Sequence, residues 1–198
     1  MLSNGDTVAF SGTNDHFSKN GSNYYQFVIV GNLSAYGNIQ SLMNFSETVL
    51  PSCYYNLFRD CTTLKGAPDL PATGLAAGCY KSMFFGCTSL TTAPALPATT
   101  IAQSCYSNIF NGCTGIKAIT LPATTLVMDC YNYMLKDCSS LTSIKVSFTS
   151  WSETTAIAAT NNWVNGVAAE GTFTKPSSLP PSTGINYIPE GWTVNTSD

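Results

Sequence analysis

The chain has 198 residues, enough for one domain with its own core, and pairs 44 % apolar residues with only 10 % charged ones. A typical soluble domain is about 25 % charged, so neutral Ser, Thr, Asn and Gly must carry solubility here. Eight Lys and Arg and a net charge of −3 leave no basic patch for nucleic acid, and no apolar run approaches the ~18 residues of a membrane-spanning helix.

Residues 1–44 read as an N-terminal capping region. The opening "MLSNGDTVAF" has neither the basic start nor the apolar stretch of a signal peptide. Reaching the outside of a cell would then require a leader already removed, a longer parent chain, or another route such as virion assembly. "TVAF" and "YYQFVIV", the latter rich in aromatic and β-branched residues, predict a small β-unit leading into "GNIQSLMNF", an irregular first repeat.

Residues 45–146 hold four similar units, starting at Phe45, Pro71, Pro97 and Pro122, with lengths of 26, 26, 25 and 25 residues. This period lies in the ~20–29 residue window of leucine-rich repeats. Each unit divides into two pieces. In the second unit, Cys79, Met83 and Cys87 fall at i, i+4 and i+8 with Tyr80 and Phe84 beside them, which predicts a short helix. Gly86 and Gly112 stand where a left-handed C-cap favours glycine, and Asp60 and Asp137 hold the equivalent places. The second piece is a strand: "IKAITL" and "LTSIKV" match L-x-x-L-x-L. Pro71, Pro97 and Pro122 then turn the chain. The expected fold is an α/β solenoid of four units, with parallel strands ~4.8 Å apart on one face and short helices on the other. Leu64, Leu90, Ile116 and Leu141 are expected to form one stacked column.

Residues 147–198 read as a mixed C-terminal cap. "SETTAIAATNNWVNGV" predicts a helix ending near Asn165-Gly166, "GTFTK" and "GWTV" predict short strands, and "PSSLPPSTG" is a proline-rich loop. Trp151, Trp163 and Trp192 are expected to cover the last open repeat, with ligand recognition as the alternative use.

All eight cysteines sit in the repeats, in the phase C-x7-C. Along a helix the two cysteines of a unit lie ~12 Å apart, and helices of neighbouring units pack at ~8–10 Å, both beyond the ~7 Å reach of a disulfide. The second column, Cys61, Cys87, Cys113 and Cys138, lies nearer the strand, where units are closer. The spacing and the single histidine, His16, outside the repeats, do not suit zinc. The cysteines are expected to be reduced and to pack as small hydrophobes, with disulfides and metal binding as alternatives.

No phosphate-loop, dinucleotide, zinc-protease or EF-hand pattern occurs. A Cys-His mechanism would need His16 to meet one thiol among periodic equivalents. Asn20, Asn32, Asn44 and Asn195 begin N-x-S/T triplets, which matter only in a eukaryotic secretory setting. No enzymatic activity, cofactor or metal is expected.

Units of the form LPATT-(x4–5)-CY-(x2)-MF-x-GCTSLT-x-AP resemble BspA-like leucine-rich repeat proteins, found on gut and oral bacteria of the Bacteroides type, and similar arrays from bacteriophages of such bacteria. The resemblance covers Phe45–Val146 and extends to the tail through "NNWVNGVAAEGTFTK" and "IPEGWTV". It implies a surface-exposed, extracellular adhesion or interaction module that recognises protein or glycan and brings no catalytic residues. The alternative is a virion component: a head fibre, a capsid decoration or a tail-associated receptor binder. The outward positions of the strand face would carry binding: Lys65, Thr91, Thr92, Lys117, Thr120, Thr142, Ser143 and Lys145. Such a surface, lacking Trp, Tyr and Arg anchors, would bind through multiple copies. The helix-side row of Tyr55, Lys81, Phe85, Asn108 and Tyr133 is the second candidate surface.

Overall fold

The computed structural model describes residues 7–12, 17, 18, 20, 22–43, 45, 46, 48–151 and 159–197. Its strands are β1 (Leu33–Ser34), β2 (Leu64–Gly66), β3 (Ala118–Leu121), β4 (Ser143–Val146), β5 (Thr172–Lys175) and β6 (Thr193–Thr196). They form two parallel sheets, β1-β2 and β3-β4-β5-β6. Ile119 faces Ile144, Ile144 faces Phe173 and Phe173 faces Val194, so equivalent positions fall in register across the larger sheet. Leu64, Leu90, Ile116 and Leu141 are all fully buried. Each donates its N–H to the carbonyl of the second cysteine of its own unit, at 3.0, 3.1, 3.3 and 2.9 Å. They therefore occupy the same place in every unit.

Among the described residues, the short helices expected in the repeats are absent. Each cysteine-bearing segment is a chain of turns in which every fourth residue is left-handed. Ser52, Asn56 and Asp60 have φ of 56°, 59° and 57°, and Ser104, Asn108 and Gly112 have 55°, 58° and 75°. A residue in that region ends an α-helix. The N–H groups between them alternate in direction. Those of Tyr55, Leu57, Arg59 and Cys61 bond back within the unit to Ser52, Tyr54, Asn56 and Phe58. Those of Tyr54, Asn56, Phe58 and Asp60 cross to the carbonyls of Cys79, Lys81, Met83 and Phe85, at 2.9, 3.2, 2.8 and 2.6 Å. A helix satisfies its backbone within itself; these segments satisfy half of theirs in the next unit. The apolar stripe arises all the same, because a four-residue turn returns to one side almost as a 3.6-residue helical turn does.

The turn side is consequently thin. Tyr54 stacks on Tyr80 at 5.4 Å between ring centroids with planes 6° apart, and Tyr80 on Tyr106 at 6.0 Å and 4°. A second column runs Phe27, Phe58, Phe84 and Phe110 at 5.2, 5.5 and 5.9 Å. Neighbouring units are thus closer on this side than the helix-to-helix distances invoked against disulfides, and that objection fails. The cysteines are nonetheless all unbonded and buried.

The sheet expected to run through all four repeats is divided. The second unit contributes no strand. Its "LTTAPALP", like "LKGAPDLP" in the first unit, inserts Ala-Pro where the shorter third and fourth units have Ile119 and Ile144. Proline supplies no N–H to a ladder. β2 ends at Gly66, just before Ala67-Pro68.

At the N-terminal end, neither "TVAF" nor "YYQFVIV" forms a strand; among the described residues there, the short β1 and a 3-10 turn at Ile39–Leu42 are the regular elements. In the tail, "GTFTK" and "GWTV" form β5 and β6. Of the expected tail helix, residues 152–158 lie outside the described residues, and Thr160–Gly166 is again a run of turns, with Asn162 and Gly166 left-handed at 50° and 79°. Tyr131, Tyr133, Leu135 and Asp137 donate to Ala159, Asn161, Trp163 and Asn165, so the tail repeats the bonding of the units before it.

Candidate functional site

Burial alternates along β3 and β4: Ala118, Thr120, Ser143 and Lys145 face outward, while Ile119, Leu121, Ile144 and Val146 are buried. Two rows of mostly short side chains result. Thr120, Lys145, Thr174 and Asn195 are successive partners across the sheet, and so are Ala118, Ser143, Thr172 and Thr193. The eight residues singled out from the sequence are all exposed. Lys117, Thr120, Thr142, Ser143 and Lys145 lie together on the larger sheet or at its entry. Lys65 belongs to the smaller sheet, and Thr91 and Thr92 lie in the strandless second unit between them.

Sequence reasoning missed Thr172, Thr174, Thr193 and Asn195, which continue the rows. "GTFTK" and "GWTV" carried the strand signal, but β5 lies 29 residues after β4 and β6 lies 21 after β5, so the 25–26 residue period does not reach them. It also missed an internal use of threonine. The Thr88 hydroxyl donates to the Thr62 carbonyl at 3.3 Å, and the Thr114 hydroxyl to that of Thr88 at 3.4 Å.

Where β3 meets the strandless unit, Ala93–Pro97, Ala118–Thr120 and Pro122 line an open, mainly apolar groove. On the turn side, Tyr55, Lys81, Phe85, Asn108 and Tyr133 are half-buried. The Arg59 guanidinium lies 4.0 Å from the Phe85 ring centroid, a cation–π contact.

The thiols are poor nucleophiles as placed. Burial pushes Cys53, Cys87 and Cys138 up to about 12 and Cys130 up to about 11, and it raises Cys79, Cys105 and Cys113 as well. In the second column, Cys61, Cys87, Cys113 and Cys138 point their sulfurs at the carbonyls of Phe27, Phe58, Phe84 and Phe110, 3.0–3.2 Å away. A thiol fills such a place as a weak donor. His16 lies outside the described residues. Among the described residues no group of His, Cys, Asp and Glu is arranged to hold a metal ion, and no helix is long and apolar enough to cross a membrane. Comparison with protein families, with curated proteins and with solved structures found no match to this chain.

Proposed function

We propose that the chain is a repeat solenoid of the BspA-like leucine-rich type and serves as a non-catalytic binding module at a surface, taking protein or glycan on its strand face. The supporting observation is the alternation along β3 and β4, which seats apolar side chains inside and leaves two rows of Thr, Ser, Asn and Lys outside in hydrogen-bonded register. Short hydroxyl and amide side chains held on a rigid sheet lose little entropy on binding and offer both donors and acceptors. They also lack the large anchors of tight interfaces, so each contact is weak and useful affinity comes from several copies acting together.

Glycan and matrix-protein arrays probed with multimerised protein test this reading. Lys117→Glu combined with Lys145→Glu reverses an exposed cation at the entry of β3 and another on β4. Both are exposed, so stability is expected to change by less than about 1 kcal/mol. Array binding should fall; unchanged binding by a folded double variant moves the site off this face.

A further inference from the structure

The N-terminal end of the molecule carries an apolar surface that the strand-face reading does not use. Val28 and Val30 are 85 % and 95 % exposed, Tyr36 69 %, Tyr25 65 % and Phe10 58 %. Phe10 and Tyr25 belong to an aromatic cluster in which Phe27, the chain neighbour of Val28, meets Phe10 at 5.4 Å and Phe17 at 6.1 Å, and Phe17 meets Tyr25 at 5.5 Å. At ~150–250 Å² for a large side chain, these five residues expose on the order of 700 Å², close to the ~800 Å² that each partner brings to a standard interface. Monomers rarely leave a patch of this size in water. The backbone is open here too: among the described residues β1 pairs with β2 alone, which leaves its outer edge free. Exposed apolar edges are a liability that proteins cover or charge. The longest stretch of this face carries little charge: from Ser22 to Phe58 the sequence holds a single ionisable acid, Glu47, and no Lys or Arg, while Asp6, Asp15, His16 and Lys19 flank Phe10 and Phe17 in the sequence.

We infer that this face is a homotypic interface, where the N-terminal ends of two copies of the chain meet about a two-fold axis. Charge selects the occupant. A partner with charged groups would bury them against Val28, Val30 and Tyr36 without counter-charge, at high cost. A second copy brings the same stretch from Ser22 to Phe58, with its single acid, and an isologous contact places like on like. The opposite end of the molecule is a poorer match. β6 is exposed along its whole length and reads Thr-Val-Asn-Thr, a polar edge for which an apolar face gains little. The contact therefore closes on itself and does not propagate head to tail. The strand faces of both copies stay free, which doubles the valency of the binding surface.

The test is the mass of the full chain by sedimentation and light scattering across a concentration series. A dimer is expected. Val28→Lys with Val30→Lys brings like charges together across the two-fold axis, and it should raise the dimer dissociation constant by roughly tenfold or more. Val194→Lys on β6 should leave the dimer intact. Circular dichroism and the melting temperature report whether each variant is folded; if the double variant fails to fold, Tyr36→Arg reads the same contact. The inference is overturned by a monomeric wild type, by a mass above two copies, by a dimer that survives the N-terminal substitutions in folded protein, or by loss of the dimer in Val194→Lys.

Discussion

Each cysteine reports how tightly the repeat is built. Cys105 is fully buried, and Tyr106 beside it donates its N–H to the Cys130 carbonyl at 3.2 Å. Cys105→Ala is expected to cost roughly 1–3 kcal/mol in denaturant unfolding, because a small cavity opens between two fixed layers. Cys105→Ser should cost at least as much, since it buries a hydroxyl, which is more costly to desolvate than a thiol. The thiols also set an alkaline limit. Their folded values lie above the ordinary 9.0, by burial, reaching about 12 at Cys53 and Cys87. Below the unfolded value both states hold the proton and nothing changes with pH. Above it the unfolded chain ionises first, so it binds fewer protons than the native state and stability falls until the folded value is passed. Thermal melts are expected to be flat from neutral pH to about 8 and to drop progressively above pH 9. A melting temperature unchanged at pH 10 would mean that the thiols are not buried as described.

Among the elements, the turn ladder is the one the sequence concealed. A nine-residue stretch is too short to separate a period of 4 from one of 3.6, so Cys79, Met83 and Cys87 suit either. The distinguishing signal was the residue type at every fourth place: Ser52, Asn56 and Asp60, then Gly78, Ser82 and Gly86, are small or polar residues that tolerate a left-handed backbone. The last of each set also suits a helix cap, which hides the pattern. Strands β3 to β6 were legible because two-residue alternation has no near rival. The break in the sheet was foreshadowed by Ala67-Pro68 and Ala93-Pro94 but was hidden by the assumption that all four units are alike. The ladder makes its own prediction. Tyr133 has φ of 53°, while the equivalent positions are Asn56, Ser82, Asn108 and Asn162. Bulky side chains are disfavoured in this region, and Tyr133→Asn should raise stability by roughly 0.5–1 kcal/mol, measured by chemical denaturation. A loss of stability would show that packing of the half-buried ring outweighs the strain.

For the molecule as a whole, what matters is how the stack is closed. The tail meets the fourth unit through β5 on β4 and through Trp163, which stacks on Tyr131 at 6.2 Å. The tryptophan N–H groups fix the tail internally: Trp151 donates to Pro180 at 2.9 Å, Trp163 to Tyr187 at 2.8 Å and Trp192 to Ala168 at 2.8 Å. Removing the chain from Ser147 onward uncovers Met134, Leu141 and Ile144 together with the open edge of β4. The truncated protein is expected to aggregate and to melt at a lower temperature, seen by light scattering during heating. A monomeric truncation with an unchanged melting temperature would show that the tail is dispensable. The candidate face was legible in part for the same architectural reason: the repeats announced Thr120, Ser143 and Lys145, whereas Thr172, Thr174, Thr193 and Asn195 come from the tail, where the spacing changes.

Backbone N–H···O bonds join β3 to β4 on the strand side, and rows of the same bonds join consecutive units on the turn side. Where helices back the strands, each helix closes its own backbone bonds and meets its neighbour through side chains alone. Here the backbone of one turn segment is completed by the next, so cutting the chain out of one unit leaves donors in the unit before it without acceptors. Damage at one place is therefore felt by its neighbours as unpaired backbone, and not only as lost packing.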